Sequence, residues 1–213
     1  MSRGTLILTL VAGALVFLVV LVLYLPASWF ASRLPPQVQC ASLGGSIWHG
    51  ECLGLNVQGA RLGDATWNLS PLAALTGTLS GDVDVRGGAL FARTNLRMKR
   101  DGAGELTQLD AHVPLDPSIS PLFPGNQRGL VVAKFTRVVL GAGALPRELV
   151  GHVELRDYQE ISPRLLELGS YRLSFDGGTN EGGESVGRLE DIGGPFSVDG
   201  NVTYTPPNNY VVQ

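Results

Sequence analysis

Histidines, paired carboxylates and cysteines are the residues of this chain that could do chemistry. His49, His112 and His152 lie far apart, and none has a second ligand or a nucleophile at motif spacing. Asp82 and Asp84 could bind a cation, but a calcium loop needs further carboxylates, so two residues on one strand face are the better interpretation. Nothing singles out a glycosidase pair among the 19 acidic residues. We therefore expect a protein that is not an enzyme and holds no metal ion or cofactor.

The two cysteines, Cys40 and Cys52, flank a predicted turn at Gly44-Gly45. In an oxidising compartment a disulfide across this hairpin is one interpretation, and two buried free thiols are the other. A symmetric hairpin would place residue 49 opposite Cys40, so a bridge requires a longer loop or a bulge. A metal site is not favoured, because the chain has no second close cysteine pair.

The N-terminal segment from Thr5 to Leu25 is apolar and carries no charge. As a helix it is long enough to cross a hydrocarbon core of about 30 Å. A cleaved signal peptide is the alternative, but its apolar region would be shorter. The nearest cleavage candidate, Leu25-Pro26-Ala27, also has a bulky residue where a small one is needed. We expect a cytoplasmic tail of residues 1–4 and a single transmembrane helix of residues 5–25.

Charge around this segment predicts its orientation. Arg3 precedes the segment and Arg33 is the first charge after it, so the positive-inside rule favours a cytoplasmic N-terminus. The bulk of the protein would then lie in a bacterial periplasm, anchored in the inner membrane. A juxtamembrane linker, 26–36, would follow the span. Trp29 and Phe30 in this linker, and Tyr24 just before it, are side chains suited to the membrane–water interface.

The rest of the chain has the composition of a turn-rich β-protein. Its net charge is −3 and no basic cluster occurs, so nucleic-acid binding is not expected. Alternating residues predict strands, as where Asp82 and Asp84 face away from Val83 and Val85. The predicted strands are 37–43, 50–58, 60–69, 79–86, 89–100, 105–113, 129–140, 149–156, one around 171–175, 196–204 and 209–213.

The predicted fold class is mainly β: a single N-terminal transmembrane helix followed by a curved, largely antiparallel periplasmic sheet with short helical turns. The periplasmic domain, 37–213, can divide into sub-units 37–115 and 127–213. The final strand would leave an open edge, so we expect a partner or further residues to cover it.

Two Ser-Pro pairs predict the helical turns. Ser70-Pro71 is followed by Gly77, which gives an N-cap, a proline at the first helical position and a terminal glycine. Ser162-Pro163 followed by Gly169 repeats this arrangement 92 residues later. The repetition predicts a weak internal duplication of strand, helical turn, strand and turn.

The N-terminal span, a Gly-x-x-Trp-x-Gly element and a Trp-x-Leu-x-Pro element that ends in glycine together resemble the type II secretion system protein N (GspN) family. The Gly-Gly-Pro at 193–195 also looks like that family's C-terminal region. Similar Trp-Gly elements occur in the wider AsmA-like group of envelope proteins. The matching positions, which we interpret as structural, are Gly45, Trp48, Gly50, Trp67, Leu69, Pro71, Leu75 and Gly77.

The resemblance implies an inner-membrane scaffold or assembly subunit of the machine that exports folded proteins across the outer membrane. Its partners would be other inner-membrane subunits or the outer-membrane secretin, and it implies no catalytic residues. The alternative is an AsmA-like protein that binds or transfers lipid in an apolar β-groove. Trp48 and Trp67 could mark a partner surface, but packing in the core is the favoured interpretation.

Overall fold

The computed structural model describes residues 3–117, 119, 123, 125–179, 184–205 and 209–212. It begins with helix α1, Arg3–Leu23, and continues into a 3₁₀ helix, Ala27–Arg33, within the segment predicted as a linker. In the part of the chain that the structure describes, no helix is both long and apolar enough to cross a membrane. The predicted transmembrane span is therefore not confirmed.

Strands make up most of the remaining chain. They are β1 Val38–Gln39, β2 Ser42–Gly45, β3 His49–Val57, β4 Ala60–Leu69, β5 Thr78–Gly87, β6 Leu90–Lys99, β7 Gly104–Pro114, β8 Gln127–Leu140, β9 Pro146–Glu160, β10 Leu166–Thr179, β11 Ser185–Gly193, β12 Asp199–Thr205 and β13 Asn209–Val212. Helix α2, Pro71–Leu75, joins β4 to β5, and a short 3₁₀ turn, Ala142–Ala144, lies between β8 and β9.

All these strands belong to one antiparallel sheet. Each strand from β3 to β13 pairs with the next one in the chain, and β1 and β2 both pair with β3. The predicted mainly β, antiparallel fold is confirmed. Strands β7 and β8, on either side of the predicted connection at 114–125, pair directly. Residues 118, 120–122 and 124 of that connection lie outside the described residues.

Register gives the sheet one apolar face and one charged face. Paired residues share a face, so Trp67 lies beside Val83, which lies beside Thr94. On the same face β8 supplies Phe135 and Val138, which are 9% and 5% exposed. The opposite face carries the charged residues of β5 to β12, among them Asp84, Arg93, Glu105, Arg137, Glu154, Arg172 and Glu190.

Strand β11 was missed by the sequence patterns. Its apolar-face positions include Ser185, Gly187 and Asp191, with Leu189 as the one large apolar side chain among them, so the alternation is weak. The structure explains the glycine, because a Cβ at Gly187 would lie 2.7 Å from Cε1 of Phe175. A large ring on β10 therefore takes the space that an alternating side chain on β11 would occupy.

The predicted second helical turn is wrong. Glu160 at the end of β9 pairs with Leu166 at the start of β10, so residues 161–165 form a short hairpin connection. Gly169, predicted to end the helix, lies inside β10 with φ +104°. The internal duplication rested on this second turn and loses its support.

The position of the first hairpin turn also differs from the prediction. Gly45 pairs with Gly50, so the turn comprises residues 46–49 and not Gly44-Gly45. Gly45 has φ +72°, and a Cβ there would lie 2.4 Å from the carbonyl oxygen of His49. Only glycine fits this position without strain. The longer loop lets the chain reach back to α1, as described below.

Candidate functional site

The loop at 46–48 closes the C-terminal end of α1. The last carbonyl groups of a helix have no partner within the helix. Here the Trp48 indole nitrogen donates to the carbonyl oxygen of Val22, 2.8 Å away. The Ile47 amide donates to the carbonyl oxygen of Leu25 at 3.0 Å. Trp48 is 8% exposed, and its contacts fix the position of the sheet relative to the helix end.

The second tryptophan of the motif lies against the same loop. The Trp67 indole nitrogen donates to the carbonyl oxygen of Ile47 at 3.1 Å. Its ring covers Gly50, because a Cβ at that glycine would lie 2.4 Å from Cζ2 of Trp67. The Gly-x-x-Trp-x-Gly element and the second tryptophan therefore form one structural unit, in which both indoles satisfy backbone carbonyl groups.

Helix α2 forms at the position that the Ser-Pro pattern predicts. Ser70 is its N-cap and accepts from the Ala73 amide at 3.4 Å, and Pro71 occupies the first turn. Gly77, with φ +77°, follows the helix end. Leu75 of the motif points into solvent and is 82% exposed. Of the motif residues around α2, only Leu69 faces the apolar side of the sheet.

An apolar groove lies between the 3₁₀ helix and the apolar face of the sheet. It has a volume of about 370 Å³. The sheet supplies its floor from β2, β4, β5 and β6. Every lining residue that the structure describes is apolar, and the set is Ala27, Phe30, Leu34, Leu43, Ile47, Trp67, Leu69, Leu79, Val83 and Leu96.

The 3₁₀ side of this groove was not predicted, because residues 26–36 were interpreted as a linker. Ala27, Phe30 and Leu34 recur at spacings of three and four, which places apolar side chains on one face of a helical segment. This spacing is the sequence signal for the apolar face, whereas Pro35 and Pro36 indicate only where the helix ends. Ala27 is 4% exposed, and Phe30 is 43% exposed.

On the charged face, Glu154 of β9 is the most buried carboxylate described, at 2% exposed. Arg156 and Arg172 each donate to it through Nε, at 2.6 and 2.9 Å. Burial alone would raise the pKa of Glu154, but the hydrogen bonds from Arg172 and Arg156 outweigh it and hold the pKa below its ordinary value. Such an ionised, fully bonded carboxylate joins strands and is poorly suited to proton transfer.

A second carboxylate on this face behaves similarly. Asp84 accepts from Arg86 at 2.7 Å and from Arg93 at 2.9 Å. The hydrogen bond from Arg86 is the main reason why the pKa of Asp84 lies below its ordinary value. Asp82 lies on the same face as Asp84, as predicted, but the Asp84 carboxylate is already paired with Arg86 and Arg93.

The histidines are not brought together. His112 lies 3.2 Å from Asp110, and His152 lies 3.7 Å from Glu154. His49 is exposed on β3. Across the described ranges, no three His, Cys, Asp or Glu side chains cluster in a way that could hold a metal ion.

Cys40 and Cys52 form a disulfide, with their Cα atoms 5.5 Å apart. It ties the segment between β1 and β2 to β3, one strand away from the groove floor. Cys52 is 3% exposed, so the bridge is part of the packed region beneath the loop.

Comparison with known proteins places this architecture in a family. The chain matches the family model for type II secretion system (T2SS), protein N, over residues 36–213. The match covers both tryptophan elements, the groove floor and the sheet. It does not support the broader AsmA-like grouping. No curated protein and no solved structure matches the chain significantly. The chain therefore belongs to the type II secretion system protein N family and is a component of that secretion system.

Proposed function

We propose that this protein is an assembly subunit of the type II secretion system, anchored in the inner membrane, with its sheet in the periplasm and its N-terminus in the cytoplasm. The role is non-catalytic: it supports the export of folded proteins by holding other inner-membrane subunits or the outer-membrane secretin. Family membership supports the assignment to the type II secretion system, and the apolar groove supports a role in binding another subunit.

Membrane anchoring is supported by the residues of α1. The segment from Thr5 to Leu25 carries no charge. The large apolar side chains described along α1 are exposed, including Leu8 at 71% and Phe17 at 69%. Exposed apolar side chains on every side of a helix suit a lipid environment. The Cys40–Cys52 disulfide supports placement of the sheet in an oxidising compartment such as the periplasm.

The observation that carries the binding role is the all-apolar lining of the groove. An open apolar concavity on a water-exposed domain is a site for an apolar partner. Leu79 remains 42% exposed inside it, so the groove has room for a side chain or a short apolar segment from another subunit.

A second candidate function, lipid binding, is favoured by the same lining. With no polar side chain among the described residues that line it, the groove would also accept an acyl chain. A phospholipid that copurifies with the chain and is lost on Leu79→Asp would support this candidate.

The test of the scaffold role is a secretion assay in a bacterium that depends on this subunit. Leu79→Asp places a charge in the groove without removing a buried side chain, and we expect export to fall strongly. Leu165→Asp is the matched control, since Leu165 is 62% exposed in the 161–165 connection at the opposite end of the sheet. Equal export by both variants, at equal protein levels, would show that the groove is not the functional surface.

A further inference from the structure

Helix α2 presents two leucines to solvent. Leu72 is 74% exposed and Leu75 is 82% exposed. They are three residues apart and so lie on one side of the helical turn. No residue of this helix is buried, so packing on the sheet does not account for them. A single exposed leucine is ordinary, but a neighbouring pair on a five-residue helix forms an apolar spot.

This spot lies at the same end of the sheet as the junction with α1. Trp48 connects the two, because its indole bonds to Val22 of α1 and its carbonyl oxygen accepts from the Leu69 amide at 2.6 Å. The next residue, Ser70, is the N-cap of α2. Adjacent strands lie about 4.8 Å apart, so α2, between β4 and β5, lies roughly 7 Å to the side of the start of β3.

A basic cleft borders the same helix. It has a volume of about 630 Å³, and its walls include Ala73 of α2 and Thr76 at the end of that helix, together with Arg97 and Lys99 of β6. Both cations are exposed. Within the described ranges neither of them makes an ion pair. Two exposed cations that make no ion pair with the described residues therefore border the helix that carries the two exposed leucines.

Three acidic residues lie near the cleft, and one of them, Glu105, is among its lining residues. Glu105 accepts from Arg137 at 2.7 Å, and Glu148 lies 3.5 Å from the same guanidinium. Asp101, in the turn after Arg100, accepts a backbone hydrogen bond from its own turn at 3.0 Å. Among the described lining residues of the cleft, Arg97, Lys99 and Arg137 outnumber the single carboxylate, Glu105, which lies opposite Arg97 in the strand register, so the cleft can receive an anion.

We propose that this end of the sheet rests on the membrane surface, with Leu72 and Leu75 among the acyl chains and with Arg97 and Lys99 on anionic phospholipid headgroups. The inference rests on the proposed anchoring of α1 and adds a second contact with the bilayer. Apolar side chains flanked by cations are the composition of interfacial membrane-binding elements. Two aromatic side chains suited to the interface, Tyr24 at 76% and Trp29 at 68% exposed, follow the helix at this end.

A lipid surface explains the position of the spot better than a protein partner does. The same bilayer that covers the exposed apolar side chains of α1 ends where α1 ends, and α2 begins within roughly two strand spacings of that point. Held in two places, the sheet would keep one orientation to the membrane and present its groove at a fixed height to neighbouring subunits.

The experiment uses the full chain in nanodiscs and spin labels on single introduced cysteines. Both native cysteines are bonded to each other, so labelling is confined to Leu75→Cys, Leu165→Cys or Leu15→Cys. The accessibility of each label to oxygen and to a water-soluble nickel chelate reports its depth. The nanodiscs contain phosphatidylcholine alone or a mixture with phosphatidylglycerol.

We expect the label at 75 to be protected from the nickel chelate and accessible to oxygen, and the label at 165 to show the reverse. Protection at 75 should deepen with phosphatidylglycerol, and Arg97→Glu with Lys99→Glu should abolish that gain. A label at 75 as exposed to nickel as the label at 165 would overturn the inference. Nickel access at residue 15 would instead show that the proposed anchoring fails, whatever is seen at 75.

Discussion

The Trp48 indole nitrogen and the Val22 carbonyl oxygen are 2.8 Å apart, in a hydrogen bond that joins the first hairpin of the sheet to the last turn of α1. The bond satisfies a carbonyl group that a helix end leaves without a partner. Through this bond, Trp48 of the motif sets the angle between α1 and the sheet. The groove depends on this junction, since the 3₁₀ helix that forms its upper wall begins only a few residues after Val22.

Replacing Trp48 by phenylalanine should therefore loosen the junction. The ring stays apolar, but the Val22 carbonyl group loses its donor, and we expect a loss of about 1–3 kcal/mol in the free energy of unfolding. Chemical unfolding in detergent micelles measures this loss. Trp29→Phe is the matched control, because Trp29 is 68% exposed. A stability change as large in the control as in Trp48→Phe would contradict the role of the indole bond.

Gly50→Ala should disrupt the contact between the motif glycine and the second tryptophan. The added Cβ would lie 2.4 Å from Cζ2 of Trp67 and 2.6 Å from the carbonyl oxygen of Ser46. Overpacking of this kind costs about 1–3 kcal/mol, and a red shift in tryptophan fluorescence should accompany the lower melting temperature. The control is Gly125→Ala, where the nearest atom is 4.0 Å from the new Cβ. An unchanged melt for Gly50→Ala would rule out this contact as a structural requirement.

Glu154→Gln should weaken the sheet and change how its stability depends on pH. At neutral pH we expect a loss of roughly 2–3 kcal/mol, because Arg156 and Arg172 lose a shared buried carboxylate. The pKa of Glu154 is held below its ordinary value of 4.5. Its contribution is therefore full above about pH 4.5 and is lost as the pH falls through the lower, folded-state pKa.

Acid unfolding curves of the two forms test this assignment. The native chain should lose stability in that window, and Glu154→Gln should show a flatter curve there. Glu190→Gln serves as the comparison, because the Glu190 side chain is 39% exposed and lies 3.5 Å from Arg172, and such pairs contribute little. Identical acid sensitivity of native and Glu154→Gln chains would refute the assignment.

Loss of the disulfide should destabilise the first hairpin. The bridge closes a loop with a sequence separation of 12, and its removal in Cys40→Ala with Cys52→Ala should cost about 2–3 kcal/mol. A reductant should lower the melting temperature of the native chain and leave that of the double variant unchanged. If the reductant had no effect on the native chain, the bridge would not contribute to stability.

Much of the sheet could be predicted from alternation, where side chains on the two faces differ strongly in polarity. Strand β5 is such a case, with Val83 and Val85 predicted on one face and Asp82 and Asp84 on the other. The strand register confirms this division. Strand β11 escaped because its apolar-face positions include a serine and a glycine, which leave room for the Phe175 ring. The alternation of residues within one strand does not show where a side chain of the neighbouring strand fills the space.

The sequence indicates which residues form the candidate site, but it does not indicate how those residues are arranged in space. The glycines and tryptophans of the motif were identified, but their joint role depends on a turn at 46–49 that brings Ile47 and Trp48 to α1. The predicted turn at Gly44-Gly45 would have kept them apart. The groove itself needs the 3₁₀ helix to fold over β4 to β6, which is a tertiary contact that no local pattern specifies.

Photo-crosslinking in living cells tests the scaffold role of the groove most directly. A photoreactive amino acid is placed at Leu79 in the groove and, as the comparison, at Leu165 at the opposite end of the sheet. We expect the probe at Leu79 to capture another inner-membrane subunit of the secretion system or the secretin, and the probe at Leu165 to capture neither. Capture of phospholipid alone at Leu79 would contradict the scaffold role and favour lipid binding in the groove.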